Sequence, residues 1–200
     1  MTTTTLAAFG IASFVINTVG LIPYVRDILG HKTKPQRATW WIWLALNCIA
    51  LAAQVAAGAR WSLLFTAGSL LAVLLIALLS IKYGYGKFER KDGLSLMVAL
   101  GGVVLWVLTK QPLAALLIVM AIDLIGYGLT FAKTWRAPHT ETLIAWVLSG
   151  VAGTLGVLAV GDWDLAKLIY PLYITVVNWL LALMIVYRRR VISAASSAIV

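Results

Sequence analysis

The chain has 200 residues, of which 62% are hydrophobic and only 12% are charged, whereas a typical globular chain has about 25% charged residues. A soluble protein of this size could not cover its surface with so few charged side chains. The composition, with a mean hydropathy of +0.96, therefore indicates a helical protein that crosses a membrane several times. It excludes a disordered chain, a disulfide scaffold and a conventional nucleic-acid-binding domain.

The formal net charge of +9 comes from 16 lysines and arginines against seven acidic residues. These basic residues stand in short clusters between apolar runs, which is typical of loops in membrane proteins rather than of a nucleic-acid-binding face. The single cysteine, Cys48, lies inside an apolar run and allows no disulfide within the chain. We therefore expect membrane lipid, and no nucleic acid, among the partners.

Seven segments are apolar enough to be considered as membrane spans, each ideally about 20 residues long. They are Leu6 to Val25, Thr39 to Gly58, Trp61 to Ile81, Leu94 to Leu108, Pro112 to Ala132, Thr142 to Val160 and Leu165 to Tyr187. The fourth segment is the shortest, and the loops are too short to form an extramembrane domain. The sequence thus predicts an all-α membrane protein with seven transmembrane helices in a single membrane domain over residues 1–200.

The basic residues divide unequally between the two sides of this topology, with thirteen on one side and three on the other. The poorer side receives only Arg60, Lys110 and Lys167. Because cytoplasmic loops are enriched in lysine and arginine, we expect the N-terminus outside and the C-terminus in the cytoplasm. Residues 191–200 then form a cytoplasmic tail, and the expected location is a prokaryotic cell (inner) membrane.

An internal repeat emerges when the chain is shifted by 103 residues, which aligns 20–47 with 123–150. The identical pairs are Leu21/Leu124, Ile22/Ile125, Tyr24/Tyr127, Pro35/Pro138, Thr39/Thr142 and Trp43/Trp146. We therefore predict a first triple-helix repeat over 1–85, a linker helix over 86–110 and a second triple-helix repeat over 111–190. A single linker helix makes the two repeats parallel, and transporters built from repeats bind substrate near the bilayer midplane.

This layout of three helices, one linker and three helices resembles the SWEET sugar transporters and the wider PQ-loop group. Their motif has a proline and a glutamine late in the first helix, followed by a Lys-Ser or Lys-Thr pair. Here Pro23 is followed by Lys32 and Thr33, nine and ten residues later, and Gly126 takes the proline position in the second half. Glutamine is missing from both motifs, and the second helix lacks the proline expected of sugar-transporting members.

The resemblance implies a transport fold, which vitamin transporters related to nicotinamide riboside carriers share. A receptor that retrieves escaped lumenal proteins shares it too. In the sugar-transporting members an asparagine on the last helix of each triple contacts substrate, which implies that role for Asn178. The matching residue in the first half is Ile76, so the implied pocket is asymmetric.

Four polar side chains fall near the middle of four predicted spans: Asn17, Asn47, Asp123 and Asn178. Such residues are costly at this depth and usually face the bundle interior or a water-filled cavity. We consider the three asparagines as solute-binding candidates and Asp123 as a candidate for proton coupling, because burial penalises a charged carboxylate. The alternative is that they only hydrogen-bond neighbouring helices and hold the bundle together.

Trp43 and Trp146 are related by the repeat and sit just inside the membrane on equivalent helices. They could face each other, and either stack on a solute or form a gate, or they could pack in the core. Trp40 fits an interfacial aromatic belt better than a binding site. Pro23 and its repeat mate Gly126 are candidate hinges, because an internal proline kinks a helix; a fixed kink is the alternative.

The sequence contains no zinc-protease motif, paired cysteines or close cluster of histidine and acidic residues, so we expect no enzyme activity, cofactor or metal site. Two functions remain. One is a carrier that moves a small polar solute, sugar-like or vitamin-like, by alternating access, with proton coupling as an option. The other is a non-transporting seven-helix receptor or membrane assembly protein on the same fold. The sequence sets neither the solute nor the oligomeric state.

Overall fold

The computed structural model describes residues 1–33, 35, 37–84, 90, 93, 97, 101, 104 and 111–197. Apart from a short 3-10 turn at Pro138–Thr140, the elements of this part of the chain are α-helices. They are α1 (Thr3–Leu29), α2 (Arg37–Ala56), α3 (Leu63–Tyr83), α4 (Pro112–Arg136), α5 (Leu143–Leu158) and α6 (Leu165–Ser197). The described part of the chain is all-helical, as predicted. The predicted span at Leu94–Leu108 lies almost entirely outside the described residues.

Five of these helices are long and apolar enough to cross a membrane, namely α1 to α4 and α6. The remaining helix, α5, is equally apolar but has only 16 residues, which corresponds to about 24 Å. Large apolar side chains such as Ile22, Leu78, Ile125 and Leu183 are exposed on the outside of the bundle. In water such a surface would be costly, so it is compatible with an integral membrane protein.

The six helices pack in a closed ring, in the order α1, α3, α2, α4, α6, α5 and back to α1. In each triple the third helix lies between the first and the second, and the two triples meet through α1 with α5 and α2 with α4. This order of contacts is unchanged when α1, α2 and α3 are exchanged with α4, α5 and α6. The packing therefore has the symmetry that two equivalent triples would produce.

Contacts between helix ends define two ends of the bundle. Arg37, at the start of α2, donates to the carbonyl oxygens of Ser80 and Ile81 near the end of α3, at 3.1 Å in each case. Arg189, late in α6, donates to the carbonyl oxygen of Glu141 at 2.7 Å. These arginines satisfy carbonyl groups that helix ends and loops leave open. We call this end, which carries the arginines, the basic end and the opposite one the far end.

The far end is closed by small residues that let the helices approach closely. Ser13 in α1 donates to the carbonyl oxygen of Ala152 in α5 at 2.6 Å. A Cβ added to Gly10 would strike the carbonyl oxygen of Trp61, and one added to Gly156 would lie 2.7 Å from the Cβ of Phe65. Because even an alanine side chain does not fit at these glycines, the far end has no room between α1, α3 and α5.

Candidate functional site

A cavity lies inside the ring, and we call it the inner cavity. The space open to the centres of water molecules within it has a volume of about 110 Å³. A single water needs about 10–15 Å³ on this measure, so the cavity has room for several waters or a small solute. All the residues predicted to bind solute or protons line it: Asn17, Asn47, Asn178, Trp43, Trp146 and Asp123. The structure therefore brings together side chains from α1, α2, α4, α5 and α6.

The cavity does not extend equally far toward the two ends of the bundle on every helix. In α1 its lining begins at Asn17 and extends to Tyr24, and in α2 it runs from Trp40 to Asn47. In α5 only the first turns contribute, up to Ser149. On α3 and α6 the lining begins closer to the far end, at Phe65 and Tyr170, so the cavity occupies the middle of the bundle and, on α1, α2 and α5, the half toward the basic end.

The three asparagines are each oriented by a backbone carbonyl group. The side-chain nitrogen of Asn47 donates to the carbonyl oxygen of Trp43 at 2.9 Å, and that of Asn178 donates to Ile174 at 2.9 Å. Asn17 makes a longer bond of 3.4 Å to Phe65. Since a carbonyl oxygen only accepts, each amide must turn its nitrogen toward it. The side-chain oxygens are thereby left for other partners.

These side-chain oxygens are satisfied unequally. The Asn178 Oδ1 atom accepts a hydrogen bond from the Tyr127 hydroxyl at 3.3 Å. The Asn47 Oδ1 atom is buried and has no hydrogen-bond partner. An unpaired buried acceptor costs about 1–3 kcal/mol, so this atom is suited to a donor that the described residues do not supply.

Asp123 is the single ionisable acidic residue among the described residues that line the cavity. It is only 7% exposed, and its Oδ2 atom has no hydrogen-bond partner. The Tyr173 hydroxyl lies close enough to interact with this carboxyl group, but it too makes no hydrogen bond. A carboxylate can accept about four hydrogen bonds. Asp123 therefore retains unused capacity even if Tyr173 supplies one.

Aromatic rings form a continuous wall on the basic-end side of the cavity. The Tyr127 ring contacts both predicted tryptophans, at a centroid distance of 5.8 Å from Trp43 and 6.2 Å from Trp146. The two indoles are therefore bridged by Tyr127, a residue that the sequence marked only as a repeat identity. Trp40, expected in an interfacial belt, instead lines the cavity and packs against Tyr24 at 5.5 Å.

The two candidate hinges have different surroundings. Pro23 lies within α1, which continues as a helix on both sides of it. A Cβ added to Gly126 in α4 would lie 3.0 Å from the Nε1 atom of Trp43. Glycine therefore makes room for the indole at this position, which is a packing reason for the residue. Hinge motion at either position stays a prediction.

A second, more open cavity of about 580 Å³ lies at the basic end, lined in part by Asp27, His139 and Glu141. The Trp146 indole, which lines the inner cavity, donates to the Glu141 carboxyl group at 3.1 Å. The Thr142 hydroxyl donates to the Asp27 carboxyl group at 2.7 Å and so joins α1 to the segment preceding α5. We call these two hydrogen bonds the mouth contacts. Neither Glu141 nor the pairing of Asp27 with Thr142 could be predicted from the sequence, in which Thr142 is notable only as a repeat identity.

Comparison with known proteins adds no family to this description. A scan against protein-family models and searches of curated proteins and solved structures find no match. Among the residues that the structure describes, no three histidine, cysteine or acidic side chains are grouped so that they could hold a metal ion. The fold and site thus define a class, an all-helical protein with helices suited to a membrane around a polar, aromatic-lined cavity.

Proposed function

We propose that the protein is a membrane carrier that moves a small polar solute by alternating access, with the inner cavity as its binding site. The observation that carries the proposal is the convergence of Asn47, Asp123 and Asn178 on one cavity, from three helices far apart in the sequence. Polar side chains that served only to join helices would be expected to find partners on those helices. Instead, Asn47 and Asp123 keep buried oxygens unpaired.

The unequal ends of the bundle support alternating access in particular. The far end is closed by contacts such as Gly156 against Phe65, whereas at the basic end the hydrogen bond between Thr142 and Asp27 joins α1 to the segment preceding α5. A carrier needs one closed side and one that can open, with the solute site between them. When the basic end opens, the solute would enter and leave there, and we expect this end to face the cytoplasm because of its excess of lysine and arginine.

The direction of the helices supports the proposed relation to SWEET and PQ-loop transporters. Both α1 and α4 run from the far end to the basic end, and α3 ends at the basic end, where Arg37 meets Ser80. The next described helix starts again at the far end, where Ala115 and Leu116 pack with Ala53. A chain that leaves one end and resumes at the other favours a membrane crossing within 86–110, and hence seven spans in two parallel repeats.

Counterflow in proteoliposomes tests the proposed function. Liposomes containing the purified protein would be preloaded with one unlabelled solute from a panel of hexoses, ribosides and small amines, then diluted into the labelled form. We expect transient accumulation of label for at least one solute, and a loss of about tenfold or more with Asn178→Ala, because this change removes two hydrogen-bonding groups from the cavity. Thr130→Ala is the control, since that hydroxyl bonds only to its own helix at Gly126.

Failure of counterflow would identify the alternative. If the folded protein moves no solute in the panel and Asn178→Ala changes nothing but stability, the site has only a packing role. The function would then be that of a non-transporting receptor or membrane assembly protein.

A further inference from the structure

Two buried acceptor atoms in the lining of the inner cavity have no hydrogen-bond partner among the described residues, namely Asn47 Oδ1 and Asp123 Oδ2. Each of the three asparagines that line the cavity uses one of its two side-chain N–H groups on a backbone carbonyl. A solute that pairs the Asn47 and Asp123 oxygens must therefore bring hydrogen-bond donors.

The charge of the cavity lining determines which solutes with hydrogen-bond donors can bind. Asp123 lines the cavity, and the described lining includes no lysine, arginine or histidine. A buried carboxylate is costly unless a positive group and hydrogen bonds compensate it. An anion would meet a like charge, and a neutral polyol would leave the carboxylate uncompensated. An ammonium group supplies both the charge and the N–H donors.

The aromatic wall favours the same kind of solute. Trp40, Trp43, Tyr127 and Trp146 all line the cavity, and the faces of such rings attract organic cations, most strongly where water is excluded. We infer that the solute is a small organic cation with N–H donors, that is, a protonated amine bound between Asp123, Asn47 and the aromatic rings. This inference rests on the proposed function and narrows its substrate class.

Three probes distinguish the effect of positive charge from the effect of N–H donors. All three share a two-carbon chain that carries a hydroxyl group. Ethanolamine carries an ammonium with N–H groups, choline a quaternary ammonium without them, and ethylene glycol no charge. Binding would be followed by tryptophan fluorescence of the detergent-solubilised protein at neutral pH, because three tryptophans line the cavity. We expect saturable quenching by ethanolamine, binding of choline weaker by about tenfold, and no saturable effect of ethylene glycol.

Two matched variants locate the binding. Asp123→Asn is expected to weaken ethanolamine binding by at least about tenfold, because it removes one partner of a desolvated charge pair. Asp162→Asn makes the same chemical change in a far-end loop and should leave the affinity unchanged. Equal binding of ethylene glycol and ethanolamine, or unchanged ethanolamine affinity in Asp123→Asn, would overturn the inference. Equal binding of choline would overturn its requirement for N–H donors.

The carrier proposal and the cation inference fail in different ways. Counterflow of a neutral hexose or riboside by a protein that does not bind ethanolamine would refute the cation and leave the carrier in place. Binding of ethanolamine that depends on Asp123, without counterflow of any solute, would refute the carrier and support the cation site.

Discussion

The two ends of the bundle are built on different principles. At the far end the helices meet through glycine and serine, as at Ser13 with Ala152 and Gly156 with Phe65, and the contacts are too tight for added atoms. Toward the basic end, large aromatic residues contact one another around a polar cavity. We infer that the two ends differ in function. The far end fixes the packing of the two triples, whereas the other half binds and releases the solute.

The largest effect is expected from Asp123→Asn, which removes the one ionisable carboxyl group in the described cavity lining. We expect this variant to lose uptake driven by a pH gradient, because asparagine cannot bind and release a proton. Counterflow at saturating solute should continue, since exchange needs no net proton movement. Both activities would be measured in the same proteoliposomes, with Asp162→Asn as the control. Uptake driven by a pH gradient at the normal rate in Asp123→Asn would refute the coupling role.

A large effect on stability is expected from Gly156→Ala at the far end. The added Cβ would lie 2.7 Å from the Cβ of Phe65, and overpacking of this kind costs about 1–3 kcal/mol. Thermal unfolding in detergent would show the loss. The matched control is Gly128→Ala in α4, where an added Cβ meets no atom within 4 Å. If both variants unfold at the same temperature, the far end is not the rigid part of the bundle.

The depth of a residue along its helix could be predicted from the sequence, whereas the side of the helix on which it faces the cavity could not. Counting residues along apolar spans placed Asn47, Asp123 and Asn178 at mid-bundle, and the structure puts all three on one cavity. Trp40 was predicted to be in an interfacial belt because its depth fitted, but it faces inward. A helix that is apolar on every side gives no periodic signal for its inner face, so rotation about the axis depends on packing alone.

Contacts between the two triples also could not be predicted from the sequence. The repeat offset identified Tyr127 as the mate of Tyr24, yet its place between Trp43 and Trp146 depends on how α2, α4 and α5 come together. Likewise, Asp27 and Thr142 are 115 residues apart, and the repeat relates Thr142 to Thr39 rather than to Asp27. Such pairs are set by the ring order of the helices, which no local pattern encodes.

A moderate effect is expected from Thr142→Val, which removes one mouth contact and keeps the side-chain shape. A single hydrogen bond contributes about 0.5–1.5 kcal/mol, so the population with an open basic end should rise by roughly two- to tenfold. Ser149→Cys, in a Cys48→Ser background, would report this as faster labelling by a membrane-impermeant thiol reagent. Thr154→Val is the control, because that residue lies in the same helix beyond the cavity. An unchanged labelling rate would mean that the hydrogen bond between Thr142 and Asp27 does not hold the basic end closed.

The smallest effect is expected from the charges of the far-end loop. Lys167 donates to Asp162 at 2.7 Å, and this hydrogen bond lowers the pKa of the exposed Asp162 carboxyl group below its usual value. A carboxyl group with a lowered pKa in the folded state stabilises that state above its unfolded pKa, which is about 3.9. The contribution is lost only as the pH falls further, through the folded pKa.

Asp162→Asn should therefore leave the pH dependence of unfolding and of transport unchanged between about pH 5 and pH 8, where both states of the wild-type carboxyl group are ionised. Unfolding temperature and counterflow would be measured across this range beside the wild type. Only below about pH 4 should the two proteins converge in stability, as the wild-type carboxyl group takes up its proton. A change in the transport profile near neutral pH would place a proton-sensitive group at the far end. The bundle could then no longer be divided into a packed far end that does not affect transport and a half that binds and releases the solute.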